Sequence, residues 1–159
     1  MTELSDEIIR YIERNKVPNG VNVTFTEKQR FNGIWLDGVR SERNFRHFRN
    51  LLNTRIFGNG YRRFGKQLRM LVIREVSKDG RHHLHTVIEH PSRMEFVEFS
   101  LLIEEVWNRC DFGFHQIHIE KPTSALREVG WIDYITKGRS KNDFEFAIDW
   151  MNSTTFNLC

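Results

Sequence analysis

The chain has 159 residues, 39% of them hydrophobic and 13% aromatic, with a formal charge of +3 and a pI near 9.0. That length suits one compact domain, 1–159, and the composition supplies a real core. No run of about eighteen apolar residues occurs, which excludes a membrane-spanning helix, and the charged first residues lack the apolar centre of a secretion signal.

In chain order, residues 3–15 place Leu4, Ile8, Ile9 and Ile12 on one side of a short amphipathic helix. Residues 21–27 alternate and read as a strand. Residues 40–57 predict a helix whose apolar stripe is Phe45, Phe48 and Leu52, with Arg40, Arg43, Arg46 and Arg49 on a neighbouring stripe. Residues 68–76 and 82–90 read as partner strands about the turn signal of Ser77 to Arg81. Residues 93–109 predict a helix with Phe96, Phe99, Ile103 and Val106 inward, and Glu95, Glu98, Glu104 and Glu105 mostly outward. A third long strand spans 112–120. Residues 123–137 predict a last clear helix stopped by Gly138, and 143–151 a further helical turn or two. Strands interspersed with helices about a central hairpin give an α+β fold, with an antiparallel sheet covered by helices on one face and open on the other.

The basic charge is uneven. Between Arg40 and Arg69 stand nine basic residues against one acidic residue, Glu42, and a patch of one sign attracts a polyanion better than scattered charge. Cys110 and Cys159 make no disulfide framework and read as reduced thiols of a cytoplasmic protein. On that reading Asn22-Val23-Thr24 and Asn152-Ser153-Thr154 match the glycosylation pattern by chance.

The densest chemical signal is His82-His83-Leu84-His85. Alternation on a strand puts His83 and His85 on one face, where two imidazoles can share a metal ion. Hairpin parity decides whether Glu75 joins them. A loop of Asp79-Gly80 alone sets Glu75 opposite Leu84, on the wrong side, whereas a Lys78-Asp79-Gly80 loop sets it opposite His83. The longer loop ends in a glycine suited to the left-handed position, so the expected cluster is Glu75, His83 and His85. One carboxylate and two imidazoles with open positions suit Mn²⁺ or Mg²⁺. His82 points away from the pair. His115 and His118, three apart on a strand, face opposite sides and read as structural or DNA-contacting rather than as joint ligands.

A second signal is Tyr134-Ile135-Thr136-Lys137, which puts Tyr134 and Lys137 on one helical face. A phenol titrates near pH 10, so a nearby ammonium that favours the phenolate makes a tyrosine nucleophile more credible.

Taken together, Arg74-Glu75, the turn and His83-Leu84-His85 resemble the second motif of the replication-initiator endonucleases of small circular single-stranded DNA viruses, members of the HUH class. Tyr134 to Lys137 resembles their third motif, and Val23-Thr24-Phe25-Thr26 their first, a strand implicated in DNA contact. The resemblance spans residues 23–137 in family order. It implies the HUH endonuclease fold, which is ferredoxin- or RRM-like, with a metal site on the open sheet face. It also implies sequence-specific nicking and joining of single-stranded DNA to start rolling-circle replication. Glu75, His83 and His85 would hold the metal, Tyr134 would form a 5′-phosphotyrosine link, and Lys137 would position or charge-balance the attack. Thr24, Thr26, Arg40, Arg43, Arg46, Arg62, Arg63 and Lys66 are the expected DNA contacts.

The viral proteins continue into a helicase domain that this sequence does not carry, so the expected partners are an origin single strand and a separate helicase, with no membrane, in the cytoplasm of a host cell if the replicon is viral. Gly60 to Gln67 mimics a phosphate-binding loop, but Gln67 stands where Ser or Thr is needed and Phe64 crowds the nest. It reads instead as a basic DNA-contacting loop or hairpin tip. Arg40 to Gly65 has no family counterpart, so a plasmid, phage or archaeal-virus source, or a transposase that would act as a dimer, stays open. Two competing classes are a non-catalytic single-strand-binding domain and a nuclease that uses water in place of Tyr134.

Overall fold

The computed structural model describes residues 17–122 and 148–154, with Arg10 and Arg14. The expected helices at 3–15 and 123–137, and with them Tyr134 and Lys137, lie outside the described residues, as does Cys159. The described part is α+β, with strands β1 (Gly20–Glu27), β2 (Arg30–Phe31), β3 (Ile34–Trp35), β4 (Met70–Val76), β5 (His82–Glu89) and β6 (Gly113–Glu120). Its helices are α1 (Gly38–Phe57), α2 (Asn59–Phe64) and α3 (Phe96–Asn108). Four strands form one antiparallel sheet in the order β4-β5-β1-β6, and β2 and β3 pair separately.

Alternation divides the sheet into two chemistries. Val21, Val23 and Phe25 of β1, Met70 and Val72 of β4, and Leu84 and Ile88 of β5 face α1 and α3 and form the core. Into it α1 sends Phe45, Phe48, Leu52 and Ile56, and α3 sends Phe99, Ile103, Val106 and Trp107. Phe25 is the hub, its ring 4.9 Å from Phe48 and 4.5 Å from Trp107. A buried indole N–H needs an acceptor. Trp107 Nε1 donates to the carbonyls of Thr26 (3.3 Å) and Phe114 (3.1 Å), tying α3 to the end of β1 where its register with β6 shifts.

α1 starts earlier than its arginine stripe suggests, because Asp37 is its N-cap and accepts from the Arg40 amide at 2.8 Å. Before it, Asn32 and Gly33 both hold positive φ, +46° and +79°, as a two-residue hairpin between antiparallel strands requires. Of Gly60 to Gln67, expected as a loop or hairpin tip, residues 60–64 are helical and Gly65 is the helix C-cap. This helix, α2, is held to α1 by Tyr61 Oη donating to Asn50 Oδ1 at 2.6 Å, and a helical backbone offers no phosphate nest.

Of the helical turns expected at 143–151, residues 143–147 lie outside the described residues, and 148–151 differ, forming with 152–154 a non-helical segment against β4. Ile148 bridges to Ile73, and the amides of Asp149 and Thr154 donate to the carbonyls of Val72 and Met70. In return the β4 amides of Met70 and Val72 donate to Thr154 Oγ1 (2.9 Å) and Ser153 Oγ (3.0 Å). This segment satisfies the outer edge of β4, a need that local helix signals do not register. Asn152 and Asn22 are both buried, so neither can carry a glycan in this fold. Cys110 is a buried free thiol pushed up to about 12, chiefly by burial. No helix among the described residues is long and apolar enough to cross a membrane.

Candidate functional site

The β4–β5 hairpin has the three-residue loop. The Ser77 amide donates to the Arg81 carbonyl at 2.9 Å, Gly80 N donates back to Ser77 O, and Gly80 takes φ +82°. Glu75 therefore stands opposite His83, and Ile73 opposite His85. Across the other side of β5, Thr26 pairs with His83 and Thr24 with His85, while β6 places His118 opposite Thr24. Glu75, His83, His85, Thr24, Thr26 and His118 thus share the face away from the helices.

That face is open toward β6, where the His118 side chain is 77% exposed, and closes toward β4, where Ile73 of β4 and Val87 of β5 are buried. His85 is buried among them, and its Nε2 lies 2.6 Å from Glu75 Oε2. Its other nitrogen, Nδ1, is 3.4 Å from Thr24 Oγ1, and His83 Nδ1 is 3.4 Å from Thr26 Oγ1. Each imidazole therefore has a hydroxyl on Nδ1, which leaves Nε2 as its free or Glu-paired nitrogen.

The fit to a divalent cation can be read from these contacts. In donor type and register the three side chains suit one: a carboxylate and two imidazoles on one face, two of their donor atoms already meeting. As they stand, no group of three or more His, Cys, Asp or Glu side chains among the described residues is arranged to hold a metal ion. Glu75 Oε2 and His85 Nε2 bond each other at 2.6 Å, and a cation would have to replace that hydrogen bond.

His82 lies on the other face, as expected. Its pKa is lowered by burial and then by the Arg74 charge, and its Nδ1 is buried with no hydrogen-bond partner. His115 is exposed, its ring 4.2 Å from Phe114.

The expected DNA contacts divide into two groups. Arg46 pairs with Glu42, and Arg40 with Asp37. Two further arginines of the basic stretch are engaged: Arg49 donates to the Met151 carbonyl at 3.0 Å, and Arg55 is bonded to Glu105 at 2.9 Å. By contrast Arg43, Arg62, Arg63 and Lys66 are exposed and make no side-chain hydrogen bond or ion pair among the described residues. Thr26 is buried, so its hydroxyl faces His83 rather than solvent.

Sequence reasoning passed over the β2–β3 hairpin, although Asn32-Gly33 between Phe31 and Ile34 is a strong local hairpin signal. The hairpin exposes Trp35 (63%) and Ile34, and cations lie over its rings: Lys28 over Phe31 at 5.1 Å and Arg30 over Trp35 at 5.4 Å.

No family model matches the chain, and no curated protein or solved structure matches it either.

Proposed function

We propose that this chain is a metal-dependent endonuclease of the HUH class that nicks and rejoins single-stranded DNA, with Tyr134 as nucleophile. The observation that carries the reading is the hairpin register, which sets Glu75 opposite His83 and brings Glu75 Oε2 to 2.6 Å from His85 Nε2. The four-stranded antiparallel sheet, helical on one face and polar on the other, supports it. The roles of Tyr134 and Lys137 rest on the sequence resemblance.

On this reading Glu75, His83 and His85 hold Mn²⁺ or Mg²⁺. The cation, when bound, supplies Lewis-acid polarisation of the scissile phosphate. Tyr134 loses its phenolic proton, with the Lys137 ammonium favouring the phenolate, and its oxygen bonds to phosphorus. The bond from phosphorus to the 3′ oxygen breaks, and that oxygen takes up a proton to become a free 3′-hydroxyl. The phosphodiester energy stays in the 5′-phosphotyrosine link, so a later 3′-hydroxyl reseals the strand without ATP. The biological setting is initiation at a replication origin with a separate helicase, and a transposase would run the same chemistry as a dimer.

The test mixes protein and Mn²⁺ with labelled single-stranded oligonucleotides, candidate origin sequences among them, and resolves the products on denaturing gels. A heat-stable protein-linked band that disappears in Tyr134→Phe and with chelator is expected. Cleavage that survives Tyr134→Phe would assign a water-using nuclease. One observation favours a second reading, a non-catalytic single-strand-binding domain: two of the would-be donor atoms, Glu75 Oε2 and His85 Nε2, hydrogen-bond each other at 2.6 Å. DNA shifted on native gels with no cleavage of any substrate would select it.

A further inference from the structure

The structure also holds a cleft whose aromatic walls the nicking reading does not use, although its rim carries Arg40 and Arg43. The β2–β3 hairpin, the first turns of α1 and the residues just before β6 line an open cleft of about 360 Å³, a size suited to a small planar ligand. Phe31, Ile34 and Phe112 supply its apolar walls, and Arg40, Arg43 and His47 its basic rim, with Asp111 as its acidic member. The walls are set by packing. Phe31 meets Phe112 edge-on with centroids 5.9 Å apart, and the Phe112 amide donates to Asn44 Oδ1 at 3.1 Å in the cleft floor. Arg40 is engaged with Asp37, whereas the Arg43 guanidinium makes no side-chain hydrogen bond or ion pair among the described residues.

Two features identify the occupant. Aromatic walls beneath a cationic rim suit a base and its phosphate together, because every base presents a π-face and carries an anion. The second feature is a neighbouring concavity whose lining residues touch both the His–Glu face and the cleft wall. That concavity, about 210 Å³, is lined by Thr26, Glu27, Lys28, Gln29, Arg81 and Phe114, with Glu27 as its acidic member. Thr26 is the residue that meets His83, and Lys28 is the cation over Phe31. On the single-strand reading, a strand that passes from the His–Glu face along this concavity would reach Phe31 beside Lys28.

We propose that this cleft is a base-binding subsite, in which one unpaired nucleobase of single-stranded DNA stacks on Phe31 while its phosphate meets Arg43. The identity of the ligand rests on the single-strand nicking reading; the cleft itself does not.

The experiment measures fluorescence anisotropy of labelled single-stranded DNA with chelator present, using oligonucleotides in which one abasic position is moved along the strand. Wild-type protein is expected to lose about tenfold in affinity at the position that fills the cleft. Phe31→Ala should bind the intact strand about tenfold more weakly and erase that position's penalty, and Phe31→Trp should restore both. Arg43→Gln, an exposed change that leaves the walls intact, should weaken binding without erasing the penalty. Circular dichroism checks that each variant folds. If Phe31→Ala and Arg43→Gln both bind every oligonucleotide as wild type does, the subsite is overturned, and nicking by the same variants shows whether the parent reading stands. If wild-type protein binds neither intact nor abasic DNA, both fall. Equal binding of a free mononucleotide and the oligonucleotide would overturn the strand-borne ligand in favour of a small metabolite.

Discussion

Glu27 shows how much one side chain can bear on stability. It is buried on the helical side of β1, where its carboxylate accepts from Ser41 Oγ at 2.7 Å and from Asn44 Nδ2 at 3.5 Å. Arg74 bonds the same serine through Nε and reaches Asp149 through Nη2, both at 3.1 Å. Burial outweighs these partners and pushes Glu27 up to about 7 from an ordinary 4.5. A carboxyl raised on folding contributes stability that is fully present below the unfolded pKa and is lost as pH rises through the folded one. Thermal melts should therefore fall between pH 4.5 and 7, by an amount on the order of 3 kcal/mol at most, and Glu27→Gln should flatten that slope. A slope unchanged in Glu27→Gln would place the titration elsewhere.

At the same scale, the hydroxyls of Thr24 and Thr26 can accept from an imidazole Nδ1–H or donate to a bare Nδ1, so they hold either tautomer. When Nε2 binds a cation, Nδ1 carries the proton and the hydroxyl accepts it, and losing such a partner typically weakens a metal site tenfold or more. Thr26→Val should accordingly weaken Mn²⁺ binding by about tenfold in titration calorimetry, with Thr24→Val acting likewise. Full affinity in both variants would leave these threonines to the sheet alone.

Among the elements, the edge of β4 depends on two short side chains far away in sequence. Ser153 and Thr154 accept the amides of Val72 and Met70, and removing an acceptor strands a buried donor. Ser153→Ala and Thr154→Val should each cost about 1–3 kcal/mol in denaturant titrations and speed amide exchange at Val72 and Met70. Unchanged exchange there would mean that solvent already serves those amides. This edge was not legible in the sequence, because a residue 81 positions away leaves no periodic mark. The central hairpin was legible, since a glycine at positive φ and the parity of Glu75 against His83 are local constraints. The inward faces of α1 and α3 were legible too, apart from Trp107, whose polar tie to Thr26 and Phe114 only the packed β1–β6 end reveals. The cleft went unread for a different reason: Phe31, Arg43 and Phe112 are scattered in sequence and meet through tertiary packing.

For the whole molecule, the position of charge matters more than its sum. The net charge is only +3, and several arginines of the basic stretch are already paired or bonded within the fold. The free cations fall into two groups, Arg43 near the start of α1 and Arg62, Arg63 and Lys66 on and just after α2. Residues 44–57 of α1 lie between them, a helical span of about 20 Å. A short oligonucleotide can engage one group, while a long one can wrap both, and each phosphate contact released adds about 0.7 to the slope of log affinity against log salt. Replacing Arg62, Arg63 and Lys66 together by alanine should therefore lower that slope by about 2 for long single strands and leave short strands, seated near Arg43, unaffected. Equal losses on both lengths would mean that α2 itself lies beside the primary binding track. No loss on either would confine the DNA to the sheet face and the cleft at its edge.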